Sequence, residues 1–265
     1  MSTRDQHIDR NAYVARKNFQ FNPVIAISQT RRPFFLHRPG VGFQVEGLET
    51  FCAAKAGTCT IEAFIVGDTE LITAGAVTVH STPEQLALAL TRALVSGTYV
   101  EKGAATAITF TAAHVVSANK FGVILVQMNA SGTVSTKVPA ATQAYDDATS
   151  ALAALPAADS DKVGLASIVI GAKGTAWTAN TDDMTAGSDL TSITITSLTA
   201  LSPVNTALAP VAMQRAVATL VTQVNRRARE ITKGLLLCYN SDGSASLTGL
   251  SVTATIRAFP INGEA

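Results

Sequence analysis

Short runs rich in valine, isoleucine, threonine and phenylalanine recur along the chain, and turn residues separate them, a pattern that predicts β-strands. The runs cover residues 58–66, 71–80, 107–116, 121–128, 133–138, 163–170, 176–178, 190–196, 235–238 and 247–259. Gly67-Asp68 predicts a hairpin between the first two runs, and residues 129–132 predict another. The pattern therefore indicates a β-rich protein built from antiparallel sheets, in the manner of a sandwich.

Three segments have a helical spacing of apolar residues instead. The first covers residues 82–97, where Thr82 and Pro83 provide a helix start and Gly97 provides an end. Three of its leucines form a stripe at intervals of four residues, at Leu86, Leu90 and Leu94. A second, shorter helix is predicted for residues 145–155.

The longest predicted helix covers residues 210–232. Its apolar positions are three or four residues apart, close to the spacing of a coiled-coil seam. Packing on a sheet of the same chain and contact with another subunit are both open for this stripe. With three helices beside the strands, the predicted fold class is α+β and β-rich.

The first 47 residues differ from the rest of the chain in charge. They hold seven basic and three acidic residues, whereas the whole chain has a formal net charge of +1. Pro23, Pro33 and Pro39 interrupt regular structure there. We predict an extended arm that becomes ordered on a partner surface. Its basic residues are too widely spread for a typical nucleic acid site, so a solvated or protein-bound arm is favoured over a nucleic acid partner.

These features predict three regions along the chain. Residues 1–47 form the extended basic arm, and residues 48–200 form a β-rich domain with two short helices. Residues 201–265 contain the long helix and a C-terminal β-hairpin, which are free to pack into the same domain.

Composition indicates a protein that assembles with others. Charged residues make up only 15% of the chain, so large neutral, weakly self-repelling surfaces are expected. No apolar run approaches the ~20 residues of a membrane helix, and no apolar signal core opens the chain. We therefore expect assembly in a cytoplasm and no membrane partner. The cysteines lack metal-binding spacing and are interpreted as buried or idle thiols, with a Cys52–Cys59 disulfide left open.

No residues are spaced for catalysis, for a cofactor or for a metal, so we predict a non-enzymatic protein. The four histidines show no zinc pattern. Asp182, Asp183 and Asp189 flank a glycine in a loop, where they are either turn residues or oxygen ligands for calcium. Trp177 is the only tryptophan and is predicted to pack under a loop, with a receptor or sugar contact as the alternative.

The stretch from Thr106 to Asp189 resembles a module of virion proteins of tailed bacteriophages. The residues that carry the resemblance are Phe110–His114, Lys120–Gly122, Val126-Gln127, Gly132–Val134, Ala151–Pro156, Val163-Gly164, Ile168–Ile170, Trp177-Thr178 and Thr181–Asp183. Proteins with this module resemble head decoration proteins, head fibres and fibre bases, which are usually trimers. The resemblance therefore implies a homotrimeric structural role, and it brings no catalytic residues with it.

The functional prediction combines these expectations. The chain is expected to be a capsid decoration or cement protein, or a head-fibre base, that clamps capsid subunits in a virion assembled in the host cytoplasm. Its expected partners are copies of itself and the major capsid protein or another virion protein. A tail, neck or baseplate component and a receptor- or carbohydrate-binding module are the alternatives. The residues predicted to contact other subunits are Arg31, Arg32, Phe34, Phe35, Met213, Val217, Leu220, Val224 and Ile231.

Overall fold

The structure is a computed structural model of the 265-residue chain. It describes residues 13–21, 25–27, 32–37, 42–51, 54–56, 59–111, 114–202, 205–208, 215–218, 222–223, 234–241, 245–248 and 250–259. The chain divides into two compact units, one formed by Asp68–Leu201 and the other by Met1–Gly67 together with Ser202–Ala265. The sequence predicted boundaries after residues 47 and 200, whereas the units change after residues 67 and 201.

Strands dominate both units. Before residue 68 they are β1 (Tyr13–Phe21), β2 (Ile25–Ile27), β3 (Arg32–His37), β4 (Gly42–Phe51), β5 (Ala54–Ala56) and β6 (Cys59–Val66). The middle unit contains β7 (Glu70–Thr73), β8 (Val77–Val79), β9 (Leu86–Leu88), β10 (Thr91–Val95), β11 (Thr98–Lys102), β12 (Ala105–Ile108), β13 (Val115–Val116), β14 (Phe121–Asn129), β15 (Val134–Lys137), β16 (Thr142–Gln143), helix α1 (Ala148–Ala153), β17 (Lys162–Ala172), β18 (Trp177–Thr178) and β19 (Leu190–Ser197). The C-terminal strands are β20 (Asn205–Leu208), β21 (Arg215–Ala218), β22 (Thr222–Gln223), β23 (Gly234–Ser241), β24 (Ala245–Thr248) and β25 (Leu250–Phe259).

The unit built from the two chain ends contains three antiparallel sheets in its described residues. Their strand orders are β1-β25-β4-β21 with β22 also on β4, β20-β6-β23-β3, and β2-β24-β5. Each sheet pairs strands from the start of the chain with strands from its end. Neither chain end can complete these sheets without the other.

The middle unit contains the sheet β15-β14-β17-β19 and three smaller ones, β11-β10-β7, β12-β9-β8 and β16-β13-β18. Among them only the pairing of β13 with β16 is parallel. The β-rich antiparallel character that the sequence predicts is therefore confirmed.

Central strands β14 and β17 divide the middle unit into two packing layers. On one face of their sheet, Ile124 and Ile168 join a core cluster with Leu86 and Leu88 of the small sheet. On the other face, Val123 and Val169 pack against Ala151 of helix α1. Because both faces are covered, the sequences of β14 and β17 read as nearly continuous apolar runs.

Helix α1 lies within the segment 145–155 that the sequence assigned to a helix. Asp147 is its N-cap, and its side chain accepts the backbone N–H of Ser150 at 2.7 Å. This hydrogen bond lowers the pKa of Asp147. Ala151 is the buried residue of the helix and faces the sheet.

The helix predicted for residues 82–97 is wrong, because the segment forms strands β9 and β10. Ser96 and Gly97 have φ values of 48° and 78°, which is the backbone of a two-residue type I′ hairpin turn between β10 and β11. Gly97 therefore belongs to a hairpin turn and not to a helix end. Leu86 and Leu88 point inward in alternation. A spacing of four residues fits a strand as well as a helix, because it is an even number.

Two of the predicted hairpins are also wrong. β6 pairs with β20 and β23, whereas β7 pairs with β10, so Gly67-Asp68 does not join neighbouring strands. At the C-terminus, β23, β24 and β25 lie in three different sheets. The hairpin at residues 129–132 is confirmed: β14 pairs with β15, and the Asn129 side chain accepts the N–H groups of Ser131 and Thr133.

The predicted arm and the third helix are not confirmed. The described residues between 13 and 47 form β1, β2, β3 and the start of β4, all paired in sheets. In the segment 210–232 the described residues form β21 and β22, which pair with β4. The rest of that segment lies outside the described residues. The valines and threonines of the segment 210–232 favour strands, whereas the spacing of its apolar residues favours a helix.

Two further findings bear on the sequence expectations. No helix in the described part of the chain has the length and apolar character needed to cross a bilayer. Cys238 is a buried thiol. Cys52 lies outside the described residues, so the Cys52–Cys59 disulfide stays an open prediction.

Candidate functional site

The sheet β15-β14-β17-β19 ends in two edges, and an unpaired edge is where a sheet protein is able to bind another strand. We therefore compare what each edge offers to a partner. The β15 edge is covered by side chains from other segments. The β19 edge is not covered in this way.

The β15 edge is closed by a reciprocal pair of hydrogen bonds. The Thr136 N–H donates to Thr111 Oγ1 at 2.9 Å, and the Thr111 N–H donates to Thr136 Oγ1 at 3.1 Å. Nε2 of His114 lies 3.2 Å from the same Thr136 hydroxyl. Burial lowers the pKa of His114, so the imidazole is neutral at physiological pH. The outward backbone N–H of Thr136 is thus already occupied.

A charged cluster follows at the end of the same edge. Asp159 accepts the ammonium groups of Lys137 at 2.8 Å and of Lys162 at 2.9 Å. Gln127 donates to Asp159 through its side-chain nitrogen, and Gln127 Oε1 accepts the Asp159 N–H at 3.0 Å. The hydrogen bonds from Lys137, Lys162 and Gln127 hold the pKa of Asp159 well below its usual range. Charge at an edge discourages pairing with another strand.

The β19 edge has neither device. β19 pairs with β17 on one side, and β8 approaches it without forming a ladder. At the start of β19, Leu190 bridges to Ala186, but no described strand pairs with the other side of residues 192–196. Its sequence, Leu-Thr-Ser-Ile-Thr-Ile-Thr-Ser, contains no charge and no proline. We call residues 192–196 the open edge.

Pairing with β17 determines on which side of β19 each residue of the open edge directs its N–H and C=O groups. The N–H of Leu198 donates to the carbonyl of Leu165 at 2.8 Å. In an antiparallel ladder the hydrogen-bonded residues alternate, so Thr194 turns its backbone groups toward β17. Ile193 and Ile195 turn their N–H and C=O groups to the unpaired side. Their side chains pack against the core cluster.

An aromatic cluster supports the sheets from inside. Trp177 has an exposed fraction of 0%, and its ring meets Phe110 edge-on with centroids 5.9 Å apart. Phe110 also meets His114 edge-on. The prediction that Trp177 packs beneath a loop is confirmed. Trp177 therefore offers no exposed ring on which a sugar could stack.

The acidic loop residues all serve as backbone caps. Asp182 accepts the N–H of Thr178, Asp183 accepts that of Thr185, and Asp189 accepts that of Asp183. The bond from Thr185 lowers the pKa of Asp183. These contacts match the turn-residue interpretation. In the part of the chain that the structure describes, no three His, Cys, Asp or Glu side chains are grouped to hold a metal ion.

A part-buried ion pair connects the two strands of the hairpin β10–β11. The Arg92 side chain is fully buried, and its Nε donates to Glu101 Oε2 at 2.9 Å. The Tyr99 hydroxyl donates to the same carboxylate oxygen at 3.1 Å. Burial, together with the negative charge of Glu101, raises the pKa of Tyr99. The sequence analysis missed this ion pair, because Arg92 and Glu101 are directly opposite only in a hairpin and a helix was predicted there.

One polar cleft lies on the surface of the middle unit. It has a volume of about 370 Å³ and is lined by Glu84, Gln85, Thr109, Asn180 and Thr181. The Asn180 amide is fixed by bonds to both backbone groups of Phe110, at 2.8 and 3.0 Å. The cleft can offer hydrogen bonds to a ligand. Glu84 is the one carboxylate among its lining residues.

The residues predicted to contact other subunits are only partly placed. Arg32, Phe34 and Phe35 belong to β3, which pairs with β23, and Val217 belongs to β21, which pairs with β4. Arg31, Met213, Leu220, Val224 and Ile231 lie outside the described residues. The subunit-contact role of all nine stays a prediction.

The sequence reasoning assigned a strand to residues 190–196 and missed that it is an edge. No local signal marks it as an edge, since a β-branched run without charge or proline is equally typical of a central strand. Pairing partners are long-range facts that strand propensity does not contain. Comparison with known proteins adds no identity: no family model matches the chain, and no curated protein matches it significantly.

Proposed function

We propose that this chain is a non-enzymatic structural protein of a tailed-phage virion, either a capsid decoration or cement protein or a head-fibre base. It acts in many copies, as a homotrimer in the simplest arrangement, and clamps neighbouring capsid subunits. Its partners are copies of itself and the major capsid protein or another virion protein.

The observation that carries this proposal is the resemblance of Thr106 to Asp189 to the phage virion module. That module is a pattern of small strands and one short helix. In this chain the same stretch runs through β14, β15, helix α1 and β17. The order of strand, hairpin, helix and strand thus supports the proposal at the level of architecture.

The character of the surface supports it a second time. Charged residues are few, and one sheet ends in the uncharged open edge. Surfaces of this kind add further chains through backbone hydrogen bonds and apolar contact without charge repulsion. An assembly protein uses such edges, whereas a protein that must stay monomeric protects them.

The buried position of Trp177 weighs against one alternative. A carbohydrate-binding module needs an exposed aromatic ring, and Trp177 was the candidate for it. A tail, neck or baseplate component uses the same physical properties as a head protein. Location within the particle separates these two readings.

The test is antibody labelling of virions of the phage that encodes the chain, combined with sedimentation of the purified full-length protein. Gold label on the capsid and an oligomer at micromolar concentration support the proposal. Label on the tail or baseplate would replace it with the tail alternative. Unlabelled particles, or a stable monomer, would overturn it.

A further inference from the structure

We propose that the open edge binds the open edge of a second copy of this chain. The two strands run antiparallel about a two-fold axis that passes beside Thr194. They join the two four-stranded sheets into one continuous sheet across the contact. This proposal concerns one interface and does not depend on the virion assignment.

The first argument is the sequence symmetry of the open edge. Thr194 has an isoleucine on each side, at Ile193 and Ile195. The next positions outward are Ser192 and Thr196, two hydroxyl residues. An antiparallel pair centred on Thr194 therefore places isoleucine opposite isoleucine and hydroxyl opposite hydroxyl. A strand that binds an unrelated partner has no need of this symmetry, whereas a two-fold interface requires a self-complementary patch.

The second argument is the direction of the backbone groups. The free N–H and C=O groups belong to Ile193 and Ile195, because Thr194 is bonded toward β17. In the proposed register Ile193 faces Ile195 of the partner subunit, so each of these pairs exchanges two hydrogen bonds. Thr194 then faces Thr194 of the partner subunit in a non-hydrogen-bonded pair. The sequence symmetry and the hydrogen-bond phase thus select the same axis, although they are independent observations.

The third argument is the fit of the side chains on the two faces. Ile193 and Ile195 lie on the core face, in line with Ile170 and Ile168 of β17. Pairing continues this apolar row into the second copy. Thr194 is exposed on the other face, where threonine pairs are favourable across antiparallel strands. No charge on residues 190–197 opposes the approach.

The first experiment places a charge on the axis. Thr194→Lys puts two ammonium groups opposite each other, and like charges directly opposite weaken strand pairing. Thr149→Lys makes the same change on an exposed position of helix α1 and is the control. Sedimentation equilibrium of the full-length chain should show an association step that doubles the mass, for the wild type and for the control. Thr194→Lys should weaken that step by about tenfold or more.

The second experiment reads the register. Thr194→Cys brings two thiols together, because the Cα atoms of a non-hydrogen-bonded pair are about 4.5 Å apart, within disulfide range. Thr196→Cys faces Ser192 of the partner subunit and is the control, with the same native cysteines as background. Mild oxidation should cross-link Thr194→Cys into a dimer much faster than Thr196→Cys.

Several results would overturn the proposal. These are a wild type without any two-fold step, a Thr194→Lys variant that associates as the wild type does, and equal cross-linking of the two cysteine variants. Circular dichroism of each variant confirms that the fold is kept. A two-fold step at this edge with no label on virions would reject the proposed function alone. Labelled virions without the step would reject this interface alone.

Discussion

The two edges of the sheet β15-β14-β17-β19 differ in whether their outward backbone groups already have hydrogen-bond partners. At β15, the N–H of Thr136 is taken by Thr111, and Lys137 brings charge and an ion pair with Asp159. At β19, Ile193 and Ile195 offer backbone groups that no described strand takes, and residues 192–196 contain neither charge nor proline. Both strands belong to one sheet and one compact unit, so the difference is not a matter of general stability.

This contrast predicts that the closed edge stabilises the middle unit, whereas the open edge is available to a partner strand. The closed edge uses part-buried hydrogen bonds between Thr111 and Thr136 and a buried contact of Thr136 with His114, and their loss leaves polar groups without partners. The open edge contributes to the unit through its backbone ladder with β17 and the packing of its isoleucines, and the exposed side chain of Thr194 takes no part in either. A sequence change of the same kind should therefore have very different effects at the two edges, and the following experiments use that difference.

The largest expected effect comes from removing one hydroxyl at the closed edge. Thr136→Val should destabilise the unit by about 2 kcal/mol, because it leaves the part-buried Thr111 N–H and the buried His114 ring without their partner. The matched change at the open edge, Thr194→Val, should shift stability by less than about 0.5 kcal/mol. Urea unfolding followed by Trp177 fluorescence at low protein concentration measures both. Equal losses would contradict the contrast between the edges.

A smaller effect is expected at the turn that leads into the closed edge. Gly132 has a φ of 76°, and a Cβ there would meet Val100 at an ordinary 3.5 Å. Gly132→Ala should cost about 1 kcal/mol, all of it from the left-handed backbone. Gly103→Ala is the control, since a Cβ there meets nothing within 4 Å and no positive φ strains it. The same urea assay should separate the two variants, and identical midpoints would refute the turn argument.

The smallest effect concerns the acid side of the pH profile. The lysine and glutamine contacts lower the folded-state pKa of Asp159 from its ordinary 3.8. Its contribution to stability is therefore full above about pH 4 and is lost as the pH falls below that value. Asp159→Asn should have a lower free energy of unfolding than the wild type at neutral pH, and this difference should shrink as the solution is acidified. Salt should also reduce the difference. Urea midpoints across the acid range measure this.

Asp161→Asn removes one carboxylate from the same exposed loop and controls for net charge. If both variants follow the same acid profile, the ion pairs of Asp159 with Lys137 and Lys162 do not stabilise the edge.

Local sequence signals identified several elements correctly. The apolar runs of β14 and β17 exceed what a half-exposed strand needs, and both strands are central. Asp147 marks the start of helix α1 through a short-range side-chain bond. Asn129 sets the hairpin to β15 in the same local way. In each case the contact that forms the structure spans only a few residues.

The failures arose where a local signal fits two structures. The four-residue spacing of Leu86, Leu90 and Leu94 fits a helix and a strand alike. The segment forms strands because β9 pairs with β12 and β10 pairs with β11. The same holds for the segment 210–232, where the described residues pair with β4. Pairings between distant parts of the chain, such as that of β1 with β25, have no local sequence signal.

The sequence by itself determined that the chain is rich in β-strands, that it is poor in charge, and where many of its strands lie, because alternation, turn chemistry and composition act over a few residues. Only the tertiary structure decided which strands are neighbours, and therefore that β15 is a closed edge and β19 an open one. Strand pairing depends on hydrogen bonds between residues far apart in the chain, and no short stretch of sequence records its partner.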